Sequence, residues 1–195
     1  MINFKFNGEE YSLRNTPNEL TINEFEQISS IINNEELDYI DKFMTIFKHI
    51  GLDEELIEEL DGKTFIQLTK DFMNYQYTAE LINEVEIDGY TYVASDRHID
   101  GEKITYVPRI KDLKLIEKYI KQNQNKYAAK VMAVIFKRND LTKTEHYDDA
   151  HIKHKAELFS NQPYSVILPY IGVVLEQITT NIKNKAENES EQSIS

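Results

Sequence analysis

The sequence predicts an α+β fold, mostly helical, on three observations. Short runs of alternating apolar and polar residues flank Asn-Gly and Asp-Gly pairs, which are hairpin signals. Longer segments repeat apolar residues every three to four positions, which is the helical period. Hydrophobic residues make up 41% of the 195, with 12 Tyr and 9 Phe, enough to bury a core.

The hairpins are expected at about residues 2–13 and 84–107. In FKFNGEEYSL, Phe4 and Phe6 alternate with Lys5, and Tyr11 and Leu13 with Ser12. Asn7-Gly8 supplies the positive φ angles of a type I′ turn. Asp88-Gly89 and Asp100-Gly101 repeat the device, so a meander of three or four strands is expected there.

Helices fill the intervals. Thr21 followed by Glu24 is a capping box, and Ile22, Phe25, Ile28 or Ser29, and Ile32 follow at helical spacing. In LDYIDKFMTIFKHIG the inward stripe reads as Leu37, Ile40, Met44 and Phe47, with Gly51 as the stop. A short acidic helix, DEELIEEL, comes next. Thr64 is the expected cap of FIQLTKDFMNYQ, with Phe65, Leu68 and Phe72 facing inward. After Pro108 the helices are DLKLIEKYIKQ, KYAAKVMAVIFK, DDAHIKHKAELF and PYSVILPYIGVVLEQI, the last kinked at Pro169.

Residues 1–83 and 84–180 thus read as two hairpin-plus-helices lobes packed together, with 181–195 a disordered polar tail. The order repeats: DYIDKFMTI lies over KYAAKVMAV, keeping Tyr39/Tyr127, Lys42/Lys130 and Met44/Met132. A pseudo-twofold repeat is one reading, with the two hairpin headers able to pair in one sheet. Chance alignment of amphipathic helices is the other.

Charge divides the chain. Residues 1–102 carry 7 Lys+Arg against 23 Asp+Glu, whereas residues 103–155 carry 13 against 6. Either the halves neutralise each other, or the charge meets a partner or a second copy. The overall charge of −12 argues against nucleic acid, although Lys111, Lys114, Lys118 and Lys121 share a helical stripe. With no cysteine, disulfide scaffolds, thiolate zinc sites and thiol catalysis are excluded. No basic-then-apolar leader is visible, and the longest apolar run, about twelve residues, is short of the ~20 that span a bilayer. A cytoplasmic protein is expected.

Few residues suggest chemistry. Asp148, His151 and His154 are the candidate metal ligands, with Glu145, His146 and Asp149 nearby. Their spacing matches no recognised zinc motif, and Lys153 and Lys155 would repel a cation. Aspartates early and histidines later also suit a helix dipole. No phosphate-cradling glycine loop and no nucleophile elbow is present, so no cofactor is expected. Tyr90, Tyr92 and Tyr106 would serve as sheet packing or as a stacking platform. The most apolar segment supplies the candidate partner-binding residues Tyr164, Val166, Ile167, Ile171 and Val174, which otherwise are core.

The stretches LTINEFEQI, LDEELIEELDGKTFIQL, AAKVMAVIFKRN and AELFSNQPYSVILPYI resemble the accessory proteins of tailed bacteriophages that act as tail assembly chaperones or baseplate-hub assembly proteins. The resemblance spans roughly Phe4 to Ile178 and rests on hydrophobic pattern. It implies a non-enzymatic protein that binds a viral structural protein (tail or baseplate) in the host cytoplasm. A structural or host-directed virion protein, and a metal-dependent or nucleic-acid-processing enzyme, are the other readings. A homo-oligomer is compatible with the first.

Overall fold

The computed structural model describes residues 1–74, 82–94, 97–100, 103–106, 108–122, 126–140 and 148–174. It is α+β and mostly helical, as the sequence predicts. The tail proposed at 181–195 lies outside the described residues.

Strands β1 (Ile2–Phe6) and β2 (Glu9–Leu13) form the first hairpin, with Phe4 opposite Tyr11 and Phe6 opposite Glu9. Asn7 and Gly8 have φ of 49° and 85°, the left-handed values that the turn requires. Helix α1 (Ile22–Ile32) begins at the expected capping box: the Glu24 N–H donates to the Thr21 hydroxyl at 3.2 Å, and the Thr21 N–H donates to Glu24 Oε2 at 2.8 Å.

Helix α2 (Tyr39–His49) ends at Gly51, φ 110°, in a Schellman arrangement. The Leu52 N–H donates to the Phe47 carbonyl at 2.9 Å and the Gly51 N–H to the Lys48 carbonyl at 3.2 Å. Its inward face differs from the expected stripe. Phe43, Ile46 and Phe47 are buried, while Ile40 is exposed, because Phe43 and Phe47 pack edge-on against Phe65 and Phe72. Helix α3 (Glu54–Glu59) is capped by Asp53. Helix α4 (Gly62–Met73) is capped by Asp61, one turn ahead of the expected Thr64. Asp61 Oδ1 accepts the N–H groups of Lys63 and Thr64, and the Thr64 hydroxyl donates to Asp61 Oδ2.

The second half departs from the expected meander. Strands β3 (Glu84–Ile87) and β4 (Tyr90–Ala94) pair as predicted, and β5 (Arg97–Asp100) and β6 (Lys103–Tyr106) form a separate hairpin. The free edge of β4 is taken instead by β7 (Phe136–Arg138), with Tyr92 opposite Arg138 and Ala94 opposite Phe136. Hairpins β1–β2, β3–β4 and β5–β6 lie in three separate sheets, so the headers of the supposed repeat, at Asn7-Gly8 and Asp100-Gly101, do not pair. Helix α5 (Ile110–Gln122) packs on α6 (Ala128–Ile135), which packs on α7 (Asp149–Ser160). After a 3₁₀ turn at Tyr164–Val166, α8 (168–174) carries Pro169 in its first turn, where proline needs no N–H acceptor. Proline therefore starts this helix and does not kink one.

Two apolar clusters result. One gathers Leu13 of β2 and Leu20 of the following loop with Ile28, Phe43, Ile46, Phe47, Phe65 and Leu68 from the first helices. The other joins Ile22 to Tyr92, Ile116, Met132, Phe136, Phe159 and Tyr170. Helix α1 feeds both, with Ile22 in the second and Ile28 in the first.

Candidate partner-binding groove

The seam between the clusters is fastened by backbone. Ile22 N–H donates to the Gln162 carbonyl at 2.9 Å, Tyr164 N–H to the Leu20 carbonyl at 2.8 Å, and Ser165 N–H to the Pro17 carbonyl at 2.9 Å. Arg14 braces the loop before α1. Its guanidinium meets Glu24 at 2.7 Å and donates to the carbonyls of Glu19 and Ile50, each at 3.2 Å. Burial would raise the Glu24 carboxyl. Hydrogen bonds from Thr21 and Arg14 outweigh it and hold the carboxyl below its ordinary range.

Beside the seam a groove of about 340 Å³ opens between α1, the end of α4 and the start of α8. Phe25, Ile28 and Ile32 of α1, Phe72 and Met73 of α4, and Leu168 of α8 line it. Met73 is 56% exposed and Ile32 37%, so the rim is apolar and open to solvent. The side-chain oxygen of Asn15, which also lines the groove, is buried and accepts no hydrogen bond. The groove thus offers mainly apolar walls, the chemistry for an apolar segment. Two larger hollows, of about 500 and 480 Å³, mix apolar with charged groups: Leu37, Met44 and Ile57 stand beside Asp41, Lys48 and Glu54 in one, and Phe4 and Tyr11 beside Lys5 and Glu10 in the other.

The residues expected to bind a partner lie mostly inside. Tyr164, Val166, Ile167 and Val174 are buried in the second cluster, and Ile171 is half-buried against it. As placed, they are core, because the segment packs on α1 through Tyr164 and Phe25 and on β7 through Tyr170 and Phe136. Tyr164 alone lines the groove. Phe25, Ile28, Ser29, Ile32 and Phe72 of the groove are among the inward positions expected for α1 and α4, whereas Met73 and Leu168 are not. Their signal was that each apolar stripe runs one turn past the core beneath it.

Asp148, His151 and His154 are not gathered into a ligand set. Asp148 caps α7, its Oδ1 accepting the His151 N–H at 2.8 Å, and His154 is exposed. Asp149 turns to Lys118 at 3.2 Å and to the Tyr119 hydroxyl at 3.1 Å. Burial, then that carboxylate, pushes the Tyr119 hydroxyl up to about 12. Glu145 and His146 lie outside the described residues. No three His, Asp or Glu converge as metal ligands among the described residues. Tyr90 and Tyr92 form no platform: Tyr92 is buried edge-on against Phe159, and Arg138 lies 3.8 Å over the exposed Tyr90 ring. The side chain of Tyr106 is outside the description.

Among the described residues no helix is long and apolar enough to cross a membrane. Comparison with protein-family models, curated proteins and solved structures returns no match.

Proposed function

We propose that the chain is a non-enzymatic assembly chaperone or adaptor that holds an apolar segment of a tailed-bacteriophage tail or baseplate protein, in the host cytoplasm. The observation that carries this reading is the solvent-open apolar groove between α1 and α4, with Ile32 and Met73 at its rim.

Magnitudes suit the role. The groove lies near the lower end of the ~300–1,000 Å³ range of ligand pockets, room for a few side chains and not a whole domain. Two or three anchors contribute about 3–9 kcal/mol before ordering costs, which gives weak, reversible capture. A chaperone must release its client when assembly contacts compete. The net charge of −12 keeps the unloaded protein dispersed.

The test is binding of labelled peptides tiling tail and baseplate proteins, by fluorescence anisotropy. One apolar stretch is expected to bind, and Ile32→Asp or Met73→Asp to weaken it at least ~tenfold without unfolding the chain. Failure of every peptide, together with failure of the whole proteins to form a complex on co-expression, would sink the reading. Stoichiometric copies in purified particles would move the protein to the structural virion class.

A further inference from the structure

Asn7 is the only asparagine of the sequence that precedes a glycine. It stands at the tip of the β1–β2 hairpin, where Asn7 and Gly8 are both exposed, with φ of 49° and 85°. Beyond its chain neighbours, no atom lies within 4 Å of where a Cβ on Gly8 would stand. Neither the Asn7 carboxamide nor the Gly8 N–H takes part in a hydrogen bond among the described residues. An electrophilic carbon and an uncrowded backbone nitrogen thus lie next to each other in the chain, both open to water.

We infer that Asn7 is a site of spontaneous covalent modification, at which the Gly8 nitrogen displaces the carboxamide and leaves aspartate or isoaspartate in the turn. Hydroxide takes the Gly8 amide proton, and the nitrogen attacks Asn7 Cγ. The N–Cγ bond forms, the Cγ–Nδ2 bond breaks, and ammonia leaves with a proton from water. Water then opens the cyclic imide. Breaking the new N–Cγ bond gives aspartate. Breaking the bond from the main-chain carbonyl of Asn7 to the Gly8 nitrogen gives isoaspartate, whose backbone runs through the side chain. Attack requires the Asn7 ψ to rotate away from its turn value. Glycine resists that rotation least, and the exposed tip of a two-stranded hairpin opens at small cost.

Two other pairs set the comparison. Asp88-Gly89 makes the same exposed turn, with φ of 52° and 77°, but offers a carboxylate, whose carbon is a poor electrophile. At Asp61-Gly62 the carboxylate is occupied, accepting the N–H groups of Lys63 and Thr64 and the Thr64 hydroxyl. Both should lag behind Asn7. The isoaspartate product adds a backbone atom to a turn that fits two residues, so the Phe6–Glu9 pair beside it should open. Its carboxylate also joins Glu9 and Glu10 at the same tip. The base of the hairpin should hold, because Leu13, opposite Ile2, is buried in the first cluster.

The test is to age the folded full chain at mildly alkaline pH and map its tryptic peptides by mass spectrometry. The Phe6–Arg14 peptide should gain the mass of OH replacing NH₂ before any other asparagine converts, and faster as pH rises. It should split into two isomers, one of which accepts a methyl group from an isoaspartyl methyltransferase. Gly8→Ala should lose this early conversion, with far-UV circular dichroism checking its fold. Asn7→Asp, which keeps the kind of turn seen at Asp88-Gly89, should show no mass gain and melt like the fresh wild type. The isolated isoaspartate form should melt about 2–4 °C lower. A Phe6–Arg14 peptide that stays intact while other asparagines convert would overturn the inference. So would conversion confined to chain unfolded in urea, or equally fast isoaspartate formation at Asp88. None of these outcomes depends on a client, so this test and that of the groove fail separately.

Discussion

Phe25 of α1 and Tyr164 of the 3₁₀ turn stack face to face, with ring centroids 3.5 Å apart and planes 11° from parallel. Both rings pack in the second cluster, next to the backbone seam, and line the groove. Tyr164→Ala would remove the ring that α1 leans on, at a cost of about 3–5 kcal/mol. Tyr164→Phe keeps the stack and should cost less than about 1 kcal/mol. Urea unfolding measures both. Equal losses in the two variants would show that the hydroxyl, not the stack, holds the seam.

One carboxylate crosses the same seam. Glu26 Oε1 accepts the N–H of Ala129 at 3.3 Å, at the start of α6, where Tyr127 provides no side-chain cap. Burial pushes the Glu26 carboxyl above its ordinary value of 4.5, and the α6 N–H groups with Lys126 and Lys130 offset this only in part. The folded state therefore prefers the protonated acid. Its contribution is full below the unfolded pKa and is lost as pH rises through the folded one. Glu26→Gln keeps the acceptor without the charge. Its stability relative to wild type should rise between about pH 4 and 7. Glu24, held low, has the opposite sign: its contribution is present above the unfolded pKa and lost as pH falls through the folded one. Glu24→Gln should therefore cost stability at neutral pH, and less in acid. Denaturant midpoints across that range decide it; parallel pH profiles for the two variants would refute the assignment.

Two glycines separate backbone need from mere tolerance. Gly51 has φ of 110° at the end of α2, and Gly51→Ala should cost about 1 kcal/mol by forcing a side chain into that conformation. Gly62 begins α4 with no positive φ and with open space where a Cβ would stand. Gly62→Ala should be neutral or stabilising by up to about 1 kcal/mol. A thermal shift assay distinguishes them, and a loss at residue 62 equal to that at residue 51 would contradict the turn argument.

How much of this was legible in the sequence depends on how local each signal is. Asn7-Gly8, Asp88-Gly89, the Thr21/Glu24 box and the Gly51 stop are set within a few residues, and the structure keeps them. What failed needed a neighbour. In AAKVMAVIFK the apolar run suits either a helix or a strand, and the open edge of β4 draws Phe136–Arg138 out of the helix into a ladder. On α2, apolar residues occupy more than one face, and the ring of Phe72 against Phe43, with Phe65 against Phe47, selects that face over Ile40. At α4, Asp61 outcompetes Thr64 because its carboxylate accepts two N–H groups at once. For the groove, Ile32 and Phe72 were recognisable as apolar, but which apolar residues stay uncovered is decided by where helices end.

Helix α1 makes the clusters interdependent. Ile22 is fully buried in one and Ile28 is 3% exposed in the other, less than two turns along the same rod. Loosening either end of α1 should strain the seam bonds from Ile22 to Gln162 and from Tyr164 to Leu20. The described chain should accordingly melt as one unit. Phe47→Ala, in the first cluster, and Phe159→Ala, in the second, should each cost about 3–5 kcal/mol and lower the same calorimetric peak. The ratio of calorimetric to van't Hoff enthalpy should stay near unity in both variants. Two resolved peaks, with each substitution moving only one, would mean that α1 joins two independently stable bodies and that the groove between them is free to change shape.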